Sequence, residues 1–235
     1  MMTAKSIASL EKVRKEEVDQ AIRKRRTKQI FTWWVLALVV FGGWFYLPLG
    51  YFLPICMFVA MGIGIYKGRD FCDWICPRGS TWDFLVKGIS PQKVVPKFFR
   101  SLPWRLLWIG ILMTVMGIGI VKAWPDYNQI GLVFVRLVTI TTIIGLVLAL
   151  FYHHRIWCMF CPVGTMANWI GRGKMPLMID EKCKGCEYCF DICPLQIRHS
   201  SYKPAAGQAV VRDWDCLKCE LCIKNCPEKA LSFAA

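Results

Sequence analysis

Several cofactor signals are missing from this chain of 235 residues. It has only three histidines, and none lies in its first three long apolar runs, so histidines on facing helices cannot hold a haem there. No C-x-x-C-H motif for covalent haem attachment occurs, and no glycine-rich dinucleotide fingerprint occurs. These absences exclude haem binding by this chain alone, and oxidation of NAD or a flavin would need another subunit.

Acidic residues are also scarce, with 16 Asp and Glu against 30 Lys and Arg and a net charge of +14. The basic residues lie between apolar runs and not along one soluble face, which favours an anionic membrane surface over nucleic acid. The chain is 55% hydrophobic with 11 Trp and 14 Phe, unlike a soluble domain of this size. The charged N-terminal region is too long for a secretory signal, and no A-x-A-like site follows it.

The cysteines are abundant, but their number, 13, is odd, which indicates metal binding and not a disulfide framework. Eight of them form two runs near the C-terminus, C-K-G-C-E-Y-C-F-D-I-C-P and C-L-K-C-E-L-C-I-K-N-C-P. This is the spacing of two-cluster ferredoxins, in which the fourth cysteine of each run ligates the other cluster. Two zinc knuckles are the alternative, but they would leave the third C-x-x-C step unused. The predicted ligands are Cys183, Cys186, Cys189 and Cys226 for one [4Fe-4S] cluster, and Cys216, Cys219, Cys222 and Cys193 for the other.

Four apolar runs precede these cysteines, and each is near the length that a bilayer core requires. Lys and Arg are concentrated in the N-terminal segment and in the second loop, whereas the two other turns have none. The positive-inside rule therefore predicts that both termini lie on the cytoplasmic side of a bacterial or archaeal inner membrane. A reducing compartment also suits the clusters. The predicted spans are residues 30–47, 49–66, 104–122 and 129–152.

Together these signals predict an all-α membrane domain of four transmembrane helices, built as two repeated hairpins, and a small α+β ferredoxin domain. The N-terminal segment is interpreted as a basic amphipathic helix on the membrane surface, or else as a solvated tail. The predicted units are a cytoplasmic N-terminal segment (1–29), two hairpins (30–66 and 104–152), two cytoplasmic segments with cysteine motifs (67–103 and 153–175) and the ferredoxin domain (176–235).

A second set of cysteines lies where the second and fourth spans end. Cys72 and Cys76 form a C-x-x-x-C-P motif, and Cys158 and Cys161 form a C-x-x-C-P motif. The repeat is expected to bring the two pairs together. They would then ligate a third iron–sulfur cluster, act as dithiols that exchange electrons with a partner or a quinol, or simply pack. Cys56, inside the second span, is interpreted as a packing residue.

In its spans, its two C-P motifs and its C-terminal ferredoxin runs, the chain resembles the membrane polyferredoxins of the NapH and MauN type. These share their plan with the C-terminal half of NosR and with the CcoG proteins. The resemblance implies electron transfer between the quinone pool and partner redox proteins, as a subunit of a quinol dehydrogenase-type complex rather than as an enzyme alone. A maturation reductase for a metal or disulfide in a client enzyme is the alternative.

Three further residues are candidates for contact with a quinone. Arg136 lies inside the fourth span, where a charge marks a functional site by default, although it could instead pair with Asp126 or extend to the outer surface. His153 and His154 follow the same span and are interpreted as interfacial residues near a headgroup or a quinone.

Overall fold

The computed structural model describes residues 4–234, with side-chain surroundings from residue 12 onward, and its main elements are helices. Residues 1–3 of the predicted N-terminal segment and residue 235 of the predicted ferredoxin domain lie outside the described residues. The helices are α1 (Ala4–Ile30), α2 (Trp33–Ala37), α3 (Phe52–Lys67), α4 (Asp70–Trp74), α5 (Pro77–Thr81), α6 (Leu102–Ala123), α7 (Tyr127–Phe151), α8 (Ile156–Phe160), α9 (Pro162–Ile170), α10 (Tyr188–Asp191) and α11 (Leu221–Asn225). The strands are β1 (Leu177–Asp180), β2 (Gln208–Val210) and β3 (Leu231–Phe233).

Three helices of the described chain are long and apolar enough to cross a membrane: Leu47–Lys67, which joins a 3₁₀ turn to α3, then α6 and α7. Their bounds lie within two residues of three predicted spans. The Asp126 carboxylate accepts hydrogen bonds from the backbone N–H groups of Asn128 and Gln129, which caps the start of α7. These helices indicate a membrane protein.

The first of the four predicted spans, residues 30–47, is not confirmed. Its helical part consists of α2 and a π-helical turn, Leu38–Gly42, and the chain then turns back. Ten residues of helix rise about 15 Å, half of a bilayer core. Gly43 is the reason for the close turn, since a Cβ there would lie 2.7 Å from a methyl group of Val135 on α7.

The segment between α3 and α6 packs along α7 and does not form an open loop. Trp82 lies against Gly145 of α7, and the Ser90 hydroxyl donates a 2.6 Å hydrogen bond to the Ala149 carbonyl. Arg78 reaches the Val138 carbonyl, near the middle of α7. The first cysteine motif therefore lies beside the helix bundle.

The N-terminal helix α1 packs with a polar face. Arg25 and Gln29 are buried and bind Asp73 and Asp83, whereas Val13 is exposed. The helix also lies against α11 of the C-terminal domain. A membrane-surface role for the segment stays a prediction.

The C-terminal domain contains a three-stranded antiparallel sheet in the order β2-β1-β3. Ile179 of β1 pairs with Ala209 on one side and with Leu231 on the other. Leu195, Ile197 and Leu217 belong to the same buried core as residues of α8, including Trp157. One side of the C-terminal domain is thus built into the core of the helical part.

Candidate iron–sulfur sites

Two cavities in the C-terminal domain gather the cysteines in the predicted sets. Each takes three cysteines from one run and the fourth from the other, which is the arrangement that the spacing predicts. The first is lined by Cys183, Cys186, Cys189 and Cys226, and the second by Cys193, Cys216, Cys219 and Cys222. Four cysteine donors around one cavity fit a [4Fe-4S] cluster.

The two cysteine runs fold alike because their backbones take the same conformation at equivalent positions. Glu187 and Glu220 both have φ of 63°, directly after the second cysteine of each run, and a short helix follows each. The left-handed residue turns the chain sharply, so successive thiols face one point. The backbone N–H of Ile197 donates to Cys193 Sγ, and that of Ala230 to Cys226 Sγ, both at 3.4 Å. Such bonds tune cluster potentials.

The two ferredoxin sites differ in their distance from solvent. Cys186 of the first site is exposed, whereas Cys216 and Cys222 of the second are buried. His199 also lines the second cavity and is 1% exposed, and burial lowers its pKa to about 4. The neutral imidazole therefore adds no charge to the second site near pH 7.

The membrane-side cysteine pairs are joined by two arginines that cross between the repeats. Each arginine lies three residues before the first cysteine of its own motif. Arg69 donates to the carbonyl of Cys158 at 2.5 Å, and Arg155 donates to the carbonyl of Cys72 at 3.1 Å. Because each guanidinium binds the backbone of the opposite motif, the pair holds the two motifs together.

The four membrane-side cysteines belong to one packed core, and Cys76 and Cys161 line the same cavity. Burial, together with the neighbouring thiols of the set, raises the pKa of Cys72 and of Cys76 to about 12. Such thiols ionise when a metal centre binds them. Arg69 and Arg155, both almost fully buried, are placed to offset the resulting negative charge. Four cysteine donors with two adjacent cations fit an iron–sulfur cluster, so Cys72, Cys76, Cys158 and Cys161 would hold it.

The crossing arginines require glycine in the C-P-x-G sequence of each motif. A Cβ on Gly79 would lie 2.7 Å from Nη1 of Arg155, and a Cβ on Gly164 would lie 2.5 Å from Nη2 of Arg69. We expect Gly79→Ala and Gly164→Ala each to lower stability by about 1–3 kcal/mol, the usual cost of overpacking. Thermal unfolding of the purified protein measures the effect. Gly88→Ala is the matched control, since a Cβ there meets nothing within 4 Å among the described atoms, and an equal loss in all three variants would contradict the prediction.

A buried charged network surrounds the first motif. The Asp83 carboxylate binds Arg25 and Arg155, and these two cations hold its pKa well below the usual range although burial alone would raise it. His154 is part of this network, with Nδ1 2.8 Å from Gln92 Oε1 and Nε2 3.2 Å from Asp83 Oδ1. Both ring nitrogens of His154 therefore already have partners.

The three predicted quinone contacts do not come together. His153 is buried beside His154, its Nδ1 accepts from the backbone N–H of Arg155, and burial lowers its pKa to about 3. Arg136 is exposed on α7, more than four helical turns away along the chain. It lines neither of the two ferredoxin cavities nor the two cavities beside Cys161. A joint site for these three residues is not formed, and their quinone role stays a prediction.

A second buried network joins the membrane-side site to the ferredoxin domain. Asp215, directly before Cys216, accepts hydrogen bonds from Arg69 at 2.7 Å, Arg105 at 3.0 Å and Asn168 at 2.6 Å. The cations lower the pKa of Asp215 to about 2 although its burial opposes this. Arg69 thus contacts both Cys158 and the residue before Cys216. Sequence reasoning missed this role of Arg69, and the repeated R-x-x-C spacing could have signalled it.

Cysteine-lined cavities and a small ferredoxin sheet indicate an iron–sulfur electron-transfer protein. Three long apolar helices suggest that it is a membrane protein. A protein-family model described as "4Fe-4S dicluster domain" matches residues 175–227. A second model, described as "4Fe-4S binding domain", matches residues 49–98 and 135–177, which include both C-P motifs.

Several curated proteins are similar to this chain in sequence. An uncharacterized protein of Methanocaldococcus jannaschii is 24% identical over 75% of this chain and 69% of its own length. The methylamine utilization ferredoxin-type protein MauN of Methylobacillus flagellatus is 29% identical over 55% and 50%, and the ferredoxin-type protein NapH of Escherichia coli is 24% identical over 70% and 61%. The chain thus spans about half to three fifths of MauN and NapH. No solved structure matches the chain. The homologues and the 4Fe-4S domains support a polyferredoxin of the NapH and MauN type, as the sequence resemblance implied.

Proposed function

We propose that this chain is a membrane subunit that relays electrons between the quinone pool and partner redox proteins. The observation that carries the proposal is the contact of one buried side chain, Arg69, with both the Cys158 carbonyl and Asp215. Through it the membrane-side cysteines and the second ferredoxin site belong to one packed unit. An electron carrier needs its sites in such a fixed sequence.

The three cysteine sites follow one another from the helix bundle to the solvent. The membrane-side site lies beside α7, the second ferredoxin site shares its buried core, and the first ferredoxin site has the exposed Cys186. Bound [4Fe-4S] clusters supply one-electron carriers. The chain itself fixes their order, buries the inner two sites more deeply than the outer one and presents the outer one to a partner protein. Electrons can pass along such a row either way.

The maturation-reductase hypothesis requires thiols that a client protein can reach. Cys72 and Cys158 are 6% and 8% exposed, and Arg155 lies against Cys158 with Nη1 3.7 Å from its sulfur. This burial favours a ligand role over exchange with a client, and the electron relay is therefore the function proposed.

We expect a quinone to reoxidise the reduced protein through the membrane-side site. The protein is reduced with dithionite in lipid nanodiscs, excess reductant is removed and decylubiquinone is added. Two one-electron centres and two protons convert each quinone to quinol. EPR and visible absorbance follow the reaction. The variant with serine at Cys72, Cys76, Cys158 and Cys161 keeps all eight ferredoxin cysteines and is expected to react at least about tenfold more slowly.

The control is ferricyanide, a soluble oxidant that needs no membrane-side site and should reoxidise both proteins at similar rates. Equal rates with decylubiquinone in the native protein and the variant would rule out the relay through these cysteines.

A further inference from the structure

An apolar cavity lies between α2 with its π-helical turn, α3 and α7. One cation, Arg78, is among the residues that line it. The cavity is open on one side and has a volume of about 90 Å³, whereas a single buried water needs only about 10–15 Å³. Leu36, Val39, Phe52 and Cys56 are part of its apolar wall, and Cys76 and Cys161 also line it. The second cysteine of each C-P motif thus lies at the same cavity as the cation.

Arg78 has hydrogen-bond donors to spare. Its Nη2 group donates to the Val138 carbonyl at 3.2 Å and to the hydroxyls of Thr141 and Thr142 at 2.9 and 3.1 Å. Within residues 12–234, no acceptor for its Nε and Nη1 groups is found, and no carboxylate pairs with it. A guanidinium carries five N–H donors, so donors remain beside an apolar space.

A cation inside a helix bundle is costly and marks a functional site. Arg69 and Arg155 lie against the C-P motifs through the carbonyls of Cys158 and Cys72. Arg78 lines one cavity with Cys76 and Cys161, so it can offset the charge of these thiolates and still donate to a ligand. A lipid acyl chain would fill the apolar space but would leave the free donors unused. The cavity therefore suits a ligand with a flat apolar body and an oxygen acceptor at one end.

We propose that this cavity binds the head group of a membrane quinone, with Arg78 donating a hydrogen bond to one carbonyl oxygen. The inference rests on the proposed function and assigns it a place: the quinone ring lies beside Cys76 and Cys161. The proposed quinone contact is thus Arg78, which directly follows Cys76 and Pro77, and not Arg136, His153 or His154.

The test is photolabelling with an azidoquinone, with decylubiquinone as competitor and the labelled peptides identified by mass spectrometry. Label is expected on the α3 segment that contains Phe52 and Cys56. Arg78→Gln is expected to weaken binding by about tenfold or more, as the loss of a charge-assisted hydrogen bond does. Arg172→Gln makes the same change at an exposed arginine just after α9 that lines none of these cavities, and it should leave the affinity unchanged. Iron content is measured in every variant.

A second variant keeps the test decisive if Arg78→Gln loses iron. Cys56→Phe fills this cavity without changing a predicted ligand, and it should abolish labelling while the iron content stays unchanged. Met113→Phe is its matched control, because Met113 lines the neighbouring cavity and not this one. Labelling that survives Cys56→Phe, or that maps to another segment, would overturn the inference.

The outcomes separate this inference from the proposed function. If wild type binds the azidoquinone elsewhere, the cavity assignment fails while a quinone-linked relay stands. If decylubiquinone reoxidises the protein but Arg78→Gln and Cys56→Phe bind it normally, again only the assignment fails. If wild type takes no specific label and is not reoxidised by quinone, both the assignment and the quinone part of the proposed function fail.

Discussion

A quadruple variant with serine in place of the membrane-side cysteines is expected to lose about four of about twelve iron atoms per chain, since each [4Fe-4S] cluster holds four. The four positions are Cys72, Cys76, Cys158 and Cys161. One component of the EPR spectrum of the reduced protein should disappear with this iron. The physical reason is that serine hydroxyls cannot replace four buried thiolates as ligands at neutral pH. Iron and acid-labile sulfide analysis of the purified variant measures the loss directly.

The matched control is Cys56→Ser, which changes a cysteine of the same cavity that belongs to none of the predicted ligand sets. It should keep the full iron content. If the native protein and the quadruple variant both hold about eight irons per chain, as two such clusters require, the third cluster does not exist. The membrane-side cysteines would then act as thiols, and the maturation hypothesis would take precedence.

Asp215→Ala is expected to lower the free energy of unfolding by about 3–5 kcal/mol, because it removes the carboxylate between two buried arginines. Arg69 is 1% exposed and Arg105 is 7% exposed, so neither cation can regain its hydration without separating the ferredoxin domain from the helices. The expected result is a lower unfolding temperature and faster proteolytic release of the C-terminal domain. Both are measured on the full chain in detergent.

The control for this prediction is Glu228→Ala, which breaks the pair with Lys184 on the surface of the same domain. Lys184 is 71% exposed in its side chain, and exposed ion pairs contribute about 0–1 kcal/mol. This variant should behave like the native protein. If Asp215→Ala left both the unfolding temperature and the proteolysis rate unchanged, the network would not hold the domain in place.

The sites of the ferredoxin domain could be predicted because their geometry is local. Three thiols of each site lie within seven consecutive residues, such as Cys183–Cys189, and the fourth is supplied by the twin run. The three long spans could be predicted for a similar reason, since about 20 apolar residues in a row have few other stable environments. For α6 and α7, composition alone indicated the helix and its approximate ends.

The span predicted at residues 30–47 is not confirmed, and the reason lies in tertiary contacts. The segment is apolar enough to span, but Gly43 and Gly50 allow the chain to press against α7 at Val135 and Gly131, and the helix ends early. A hydropathy profile cannot predict that contact, because the contact depends on how the helices pack. Arg136 was a candidate because it lies within a long apolar run, whereas the cavity beside Arg78 forms only when α2, α3 and α7 pack together.

The sequence by itself determined the cysteine sets, the iron–sulfur chemistry and the three long spans, since each depends on spacing or composition over short stretches. Only the tertiary structure decided which arginines matter. Arg69 reaches Asp215, 146 positions away along the chain, and Arg155 reaches Cys72, 83 positions away. Such pairs form because burial leaves a guanidinium no water to bind, and which partner satisfies it depends on how the helices pack.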